Sequence, residues 1–387
     1  MKVLYCNPIF FEYRLPFYKE LVRLFNGDFY VIYSPNRYDI CGKTSFCRQI
    51  KEELGENAIP LARDYIFDTY SMSFKMKDIE KGKRIPLTFG LLRTIRKIRP
   101  DVLITEGYFQ WTPLVLLYGM FFRVPVYMGY ERTLYTERDA GKFKTWQRKL
   151  FNRIFKGFLV NGQETKKYLE WLGEPSSKIY IGGMSADSEG LLNSINQFSW
   201  KDRMSFKQQF LQDKGLLFLF SGRISTLKGV EYLLNAWVRH IQKHPNDVLV
   251  LIGKGELLEV FRIKYKNESS IFFQGSVIYS DVYKYYAIAD VFILPTLIDN
   301  WSLVIPEAMA CGLPVSTSIY NGCHTELVHK DENGITFDPY KEGTLIEALD
   351  YFHHQDLKTM GQKSLELEKE FNTENCARRV YEALTRK

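Results

Sequence analysis

At 387 residues the chain is too long for one ordinary hydrophobic core and suits two domains, and 45% apolar with 25% charged residues excludes a disordered or low-complexity chain. The net charge of +7 is uneven: residues 1–190 hold 30 basic and 21 acidic side chains, about +9, leaving 22 of 52 and 24 of 45, about −2, for the remainder. The six cysteines are scattered with no metal-ligand spacing, which fits a reduced cytoplasmic protein, and no nucleic-acid-binding motif accompanies the positive charge.

In chain order, residues 2–7 are expected to form a strand without a signal-peptide apolar core, 15–25 a helix, and 28–34 a second strand. From 35 to 86 the pattern is poor, with Lys75, Lys77, Lys81, Lys83 and Arg84 clustered among aromatics, and such irregular stretches are commonly functional. A helix over 87–98 ends before Pro100, followed by a strand over 101–106, a helix over 111–122, and strands over 124–128 and 157–160. The apolar run 111–122 contains Pro113, is bounded by Arg123, and is too short to span a bilayer. Residues 141–156 put Phe143, Trp146, Leu150 and Ile154 on one helical face among bases. Such a helix either packs that face on the sheet or lies on an anionic membrane.

Residues 185–213 carry little pattern and read as the passage between domains. A second series has strands over 216–221, 247–252, 271–274, 290–294, 314–318 and 334–337. Helices over 230–244, 281–289, 303–311 and 325–329 separate them, and further helices fill the rest of the chain. Strands alternating with helices imply parallel sheets, here two doubly wound domains facing across a cleft. Ligands of such sheets bind beyond the carboxyl ends of strands, which places Arg223, Lys228, Gly253, Gly255, Asp299 and Asn321 on one rim.

The stretch from Pro295 to Pro314 organises that rim. Pro306 lacks an N–H and fits only the first turn of a helix, so the amides of Ser302, Leu303 and Val304 are expected to point outward and bind phosphate. Asp299 and Glu307, eight positions apart, flank this point, and a carboxylate suits the vicinal hydroxyls of a ribose or hexose. Arg223 and Lys228 add two cations that would stabilise a departing diphosphate. Acid spacing alone is equally compatible with a core helix, and Arg223 and Lys228 with surface solvation.

The following pieces together resemble glycosyltransferase family 4, retaining enzymes of the GT-B fold. They are Ser221-Gly-Arg223 with Lys228-Gly229, Gly253-Lys-Gly255, Phe273-Gln-Gly275-Ser-Val277, Ala289-Asp-Val-Phe-Ile-Leu-Pro295, the Asp299-to-Glu307 unit with Glu307-Ala-Met-Ala-Cys-Gly-Leu-Pro-Val315, and Asn333-Gly334. The resemblance covers residues 216 to about 340 in order, while the first half is similar only in its strand and helix sequence. It implies an acceptor-binding domain over 1–190, a nucleotide-sugar domain over 191–372, and a last helix, 373–387, that packs back on the first. Catalysis would rest on Arg223, Lys228, Asp299 and Glu307: the two cations on the donor diphosphate, Glu307 on the ribose, Asp299 on the donor sugar. Gly253 and Val277 would line the nucleobase, and Ser302, Leu303 and Val304 would complete donor binding.

No cofactor and no catalytic metal are implied, the nucleotide sugar being a substrate. The partners implied are a nucleotide diphosphate sugar and a saccharide or polyprenyl-linked saccharide, with peripheral contact at an anionic inner membrane face. The sequence departs from the family at Asp299, where Glu is usual, at Ser302, where Gly is common, and at Asn7-Pro-Ile-Phe-Phe-Glu12, which replaces a glycine pair. The family's acceptor-side histidine is also missing, since all six histidines lie at 240 or beyond. Where it would stand, Glu131 and Arg132 are expected to line the cleft, a salt-bridged loop being the alternative. A nucleotide-sugar epimerase, or a non-catalytic module binding nucleotide sugar or anionic lipid, are the rival functions.

Overall fold

The computed structural model describes residues 1–40, 44–61, 64–68, 84–88, 90–108, 111–182, 184–211 and 214–386. The first domain has strands β1 Val3–Cys6, β2 Phe29–Tyr33, β3 Ala58–Pro60, β4 Asp64–Asp68, β5 Arg84–Thr88, β6 Val102–Glu106, β7 Val126–Tyr130, β8 Gly157–Val160 and β9 Ile179–Ile181. Seven of them form a parallel sheet in the order β3-β2-β1-β6-β7-β8-β9, and β4 and β5 form a separate antiparallel pair. The second domain has β10 Leu217–Ser221, β11 Val248–Ile252, β12 Ile271–Gly275, β13 Val291–Leu294, β14 Val315–Ser318 and β15 Gly334–Phe337. They form a parallel sheet in the order β12-β11-β10-β13-β14-β15.

Strands such as β11 (VLVLI) and β13 (VFIL) are apolar at every position because helices cover both faces of the sheet, and every residue of both is buried. Strand order reverses between β1 and β6, where Val3 pairs with Val102, and between β10 and β13, where Phe218 pairs with Val291. Crossover loops part at these points and open a crevice at the carboxyl ends of the strands.

Several expectations are corrected. The pattern-poor region 35–86 contains the helices Pro35–Ile40 and Thr44–Leu54 as well as the short strands β3, β4 and the start of β5. Lys75, Lys77, Lys81 and Lys83 lie outside the described residues, and Arg84 opens β5. Residues 185–213 are not a bare passage. The helix Ser188–Gln197 is capped by Asp187, which accepts the Gly190 N–H at 3.1 Å, and Trp200–Lys207 by Ser199, which accepts the Asp202 N–H at 3.2 Å. Both pack on the helix Tyr279–Ile288, within the second domain.

The helix Lys142–Asn152 turns its expected packing face outward: Phe143, Trp146 and Leu150 are 74%, 60% and 48% exposed. Its buried side consists of Arg148 and Asn152. Arg148 pairs with Glu137 at 2.8 Å, Asn152 Oδ1 accepts the Tyr108 hydroxyl at 2.6 Å, and Phe151 packs on the core, so these contacts and not the aromatic stripe hold the helix to the domain. The last helix, Thr373–Thr385, puts Cys376, Ala377, Val380 and Leu384 into the same core as Leu15, Tyr18 and Leu21 of the helix Arg14–Leu24.

Candidate active site

The loops after β10 and β11 are closed against each other. Gly253 has φ +137°, and a Cβ there would stand 1.8 Å from the Gly222 carbonyl oxygen, so only glycine fits. The Ile224 N–H donates to the Lys254 carbonyl at 3.0 Å, fixing the loop around Arg223. Arg223 is exposed and makes no side-chain hydrogen bond or ion pair among the described residues. The short turn Thr226–Lys228 then brings Lys228 onto the carboxylate of Asp299, with which it pairs.

Asp299 is held from three sides. Besides Lys228 it accepts the Ser302 hydroxyl and, at 3.2 Å, the Trp301 N–H. Asp299 and Asn321 form a backbone bridge, and Asn321 Oδ1 accepts the Ser302 N–H at 3.3 Å. The expectation of three outward amides is therefore corrected at Ser302, whose N–H is used internally. Leu303 and Val304, at the start of the helix Val304–Ala310, donate to no backbone acceptor among the described residues. Val277 is half-buried beyond β12, against the second-domain core.

Glu307 is 6% exposed, and its two oxygens face the hydroxyls of Tyr286 at 3.0 Å and Tyr279 at 3.4 Å. Burial pushes its carboxyl up to about 7, Asp187 pushes in the same direction, and the two tyrosine hydrogen bonds pull it down. Neither tyrosine is signalled by the motif containing Glu307, since both come from the helix Tyr279–Ile288.

Across the cleft, β1, β6 and β7 present Tyr5, Glu106 and Glu131. Glu106 accepts the Tyr5 hydroxyl and pairs with Arg14 at 3.1 Å. Glu131 and Glu106 both line a cavity of about 470 Å³ and a second of about 200 Å³. Glu131 is exposed to the water of the cleft. Partial desolvation by the protein around it, then the Glu106 carboxylate, raises its pKa, against the pull of Arg132 and Arg14. Arg132 also lines the larger cavity, half-exposed and 3.8 Å from Glu137. Lys144 and Arg148 close the same cavity from the helix Lys142–Asn152.

The two rims touch. Asn300 Nδ2 donates to Glu131 at 3.4 Å, Tyr135 stacks on Tyr320 with centroids 4.7 Å apart, and Glu326 accepts the Gln163 N–H. Asp299, paired with Lys228, and Glu131, bonded to the adjacent Asn300, thus face each other where the two rims meet.

Residues 202–370 match the family model of glycosyl transferases group 1. A glycosyltransferase of Methanocaldococcus jannaschii is 31% identical over 170 residues, 41% of this chain and 43% of that protein. The alpha-monoglucosyldiacylglycerol synthase of Acholeplasma laidlawii is 26% identical over 323 residues, 78% of each. The chain spans less than half the length of the first curated relatives it matches, between 39% and 48%. Among solved structures, Anabaena HepE in complex with UDP and glucose superposes with a TM-score of 0.70 at 16% identity over 100% of both chains. The fold is GT-B.

Proposed function

We propose that this protein is a retaining glycosyltransferase that moves a sugar from a nucleoside diphosphate donor to a saccharide or lipid-linked saccharide. The observation that carries the reading is the pairing of Lys228 with Asp299 on the second-domain rim, at the point where the next residue, Asn300, meets Glu131 of the first domain. The matched family and the neighbours in complex with UDP and UDP-glucose support the donor class.

In this reading the Lys228 ammonium exchanges its contact with Asp299 for the donor diphosphate and stabilises the charge that grows as the sugar leaves. Arg223, unpaired at the rim, reaches the same phosphates, and Asp299 is freed to hold sugar hydroxyls. Glu307 binds the ribose as Tyr279, 40% exposed, makes way. Glu131 and Glu106 accept hydrogen bonds from acceptor hydroxyls, and contact between the rims excludes water. Retention rests on the resemblance of the Asp299-to-Glu307 unit.

We place the protein in the cytoplasm, at the inner membrane face. The Phe143, Trp146 and Leu150 face supports this, together with Phe121 and Met120 on the neighbouring helix Thr112–Phe122, all exposed. Residues 140–163 contain bases and no acid, the composition that favours anionic lipid. No helix among the described residues is long and apolar enough to cross a membrane. The relatives include an alpha-monoglucosyldiacylglycerol synthase and a UDP-Gal:alpha-D-GlcNAc-diphosphoundecaprenol alpha-1,3-galactosyltransferase.

A thermal-shift panel of UDP-, GDP-, dTDP- and ADP-sugars tests the donor site. One donor at about 100-fold excess over Kd is expected to add roughly 2.7 kcal/mol of apparent stability. A wild type shifted by none of the four would remove the reading.

A further inference from the structure

A second cluster of polar side chains lies at the other end of the β10–β15 sheet, where the strands begin. His240 ends the helix Val230–His240, Asp247 immediately precedes β11, and His353 sits in the turn Phe352–His354. Oδ2 of Asp247 is 3.0 Å from Nε2 of His240 and 2.6 Å from Nε2 of His353. Three donor atoms from three elements therefore meet, all within 4.8 Å of one another.

The surroundings orient these donors. The other oxygen of Asp247 accepts the Leu216 N–H at 2.8 Å, and Nδ1 of His240 lies 2.6 Å from Oδ1 of Asp350. His240 is fully buried with both nitrogens against carboxylate oxygens. An imidazole backed by a carboxylate on its far nitrogen is the arrangement that aims a histidine at a metal.

We propose that His240, Asp247 and His353 bind a divalent transition-metal ion, with zinc as the fitting member. Two imidazoles and one carboxylate are a zinc donor set, and a cavity of about 390 Å³ beside His353 and Asp247 leaves room for water as the fourth ligand. Donors of tetrahedral zinc stand about 3.3 Å apart, so the two Asp247 contacts need to open by less than ~1 Å, and the two histidine nitrogens, within 4.8 Å of each other, need to take up the same spacing. Any proton held on a donor atom is released to solvent when the ion binds. It clips the helix Val230–His240 to the start of β11 and to the turn after the helix Thr344–Tyr351. The cluster is at the amino ends of the strands and Lys228 and Asp299 are at the carboxyl ends, so the metal is structural.

The test uses the full chain stripped with EDTA and titrated with Zn²⁺ and with Co²⁺. The expected result is one equivalent bound, visible d–d absorption from Co²⁺, and a raised Tm. His353→Ala, in a partly exposed turn, is expected to lose that equivalent while keeping the wild-type circular dichroism. Asp350→Asn keeps all three ligands and is expected to weaken zinc binding about 10- to 100-fold. Absence of saturable uptake by the wild type, or equal uptake by His353→Ala, overturns the proposal.

Discussion

Glu307→Gln separates the electrostatics of the donor site from its shape. The side chain is buried against Tyr286 and Tyr279, and its carboxyl is pushed from an ordinary 4.5 up to about 7. In the unfolded chain it ionises near the ordinary value, whereas in the native protein it stays protonated until about 7. The native state therefore holds the extra proton between these two values, and wild-type stability falls as pH rises through that window. Gln does not titrate. The variant's stability relative to wild type should rise between pH 4 and pH 8 by up to about 3 kcal/mol and then level off. Glu368, also pushed up to about 7 by burial, titrates in both proteins and cancels in the difference. Urea unfolding at stepped pH reads this directly. The same variant should bind nucleoside diphosphate about 10- to 100-fold more weakly at pH 8, because a charged acceptor for the ribose hydroxyls is gone. Parallel stability profiles would refute the burial argument, and unchanged affinity would refute the ribose role.

Lys228→Ala should lower turnover by roughly 10²- to 10³-fold while changing stability by about 1 kcal/mol or less, since Asp299 keeps Ser302 and the Trp301 N–H. Steady-state kinetics with a melting curve checks both. Gly253→Ala forces a Cβ to 1.8 Å from the Gly222 carbonyl. A cost of about 3 kcal/mol, or a Tm lower by roughly 6–12 °C, should appear by calorimetry. Replacing Phe143 and Trp146 together by Ala should abolish sedimentation with anionic vesicles and leave the Tm unchanged, whereas binding to zwitterionic vesicles should be weak in both proteins. Equal sedimentation of the two proteins would remove the membrane face.

The strands of both sheets were legible because buried parallel strands must be continuously apolar, as β11 and β13 are. The rim followed from topology, since Lys228, Gly253 and Asp299 each come after a strand. Side-chain partners were not legible: Tyr279 and Tyr286 reach Glu307 from a helix 28 and 21 positions earlier, and no local spacing marks that contact. The use of the Ser302 amide depends on Asn321, which arrives from the loop after β14. Periodicity found the apolar stripe of the helix Lys142–Asn152 but could not say which way it faces. The inward side is the one that carries Arg148, paired with Glu137 from the preceding loop, and Asn152, bonded to Tyr108 from 44 positions earlier. Among the described elements between Pro35 and Pro86, the helix Pro35–Ile40 and the strands β3, β4 and β5 are too short to develop a period, and only the helix Thr44–Leu54 is long enough to show one.

The most direct measurement is chromatographic quantification of nucleoside diphosphate released from the donor that stabilises the wild type, with Lys228→Ala alongside. Sugar transfer at the Lys228–Asp299 rim predicts steady release by the wild type, faster with a saccharide or lipid-linked acceptor, and at least a 100-fold drop in the variant. A donor that saturates the protein and stays intact with every acceptor supplied would contradict it.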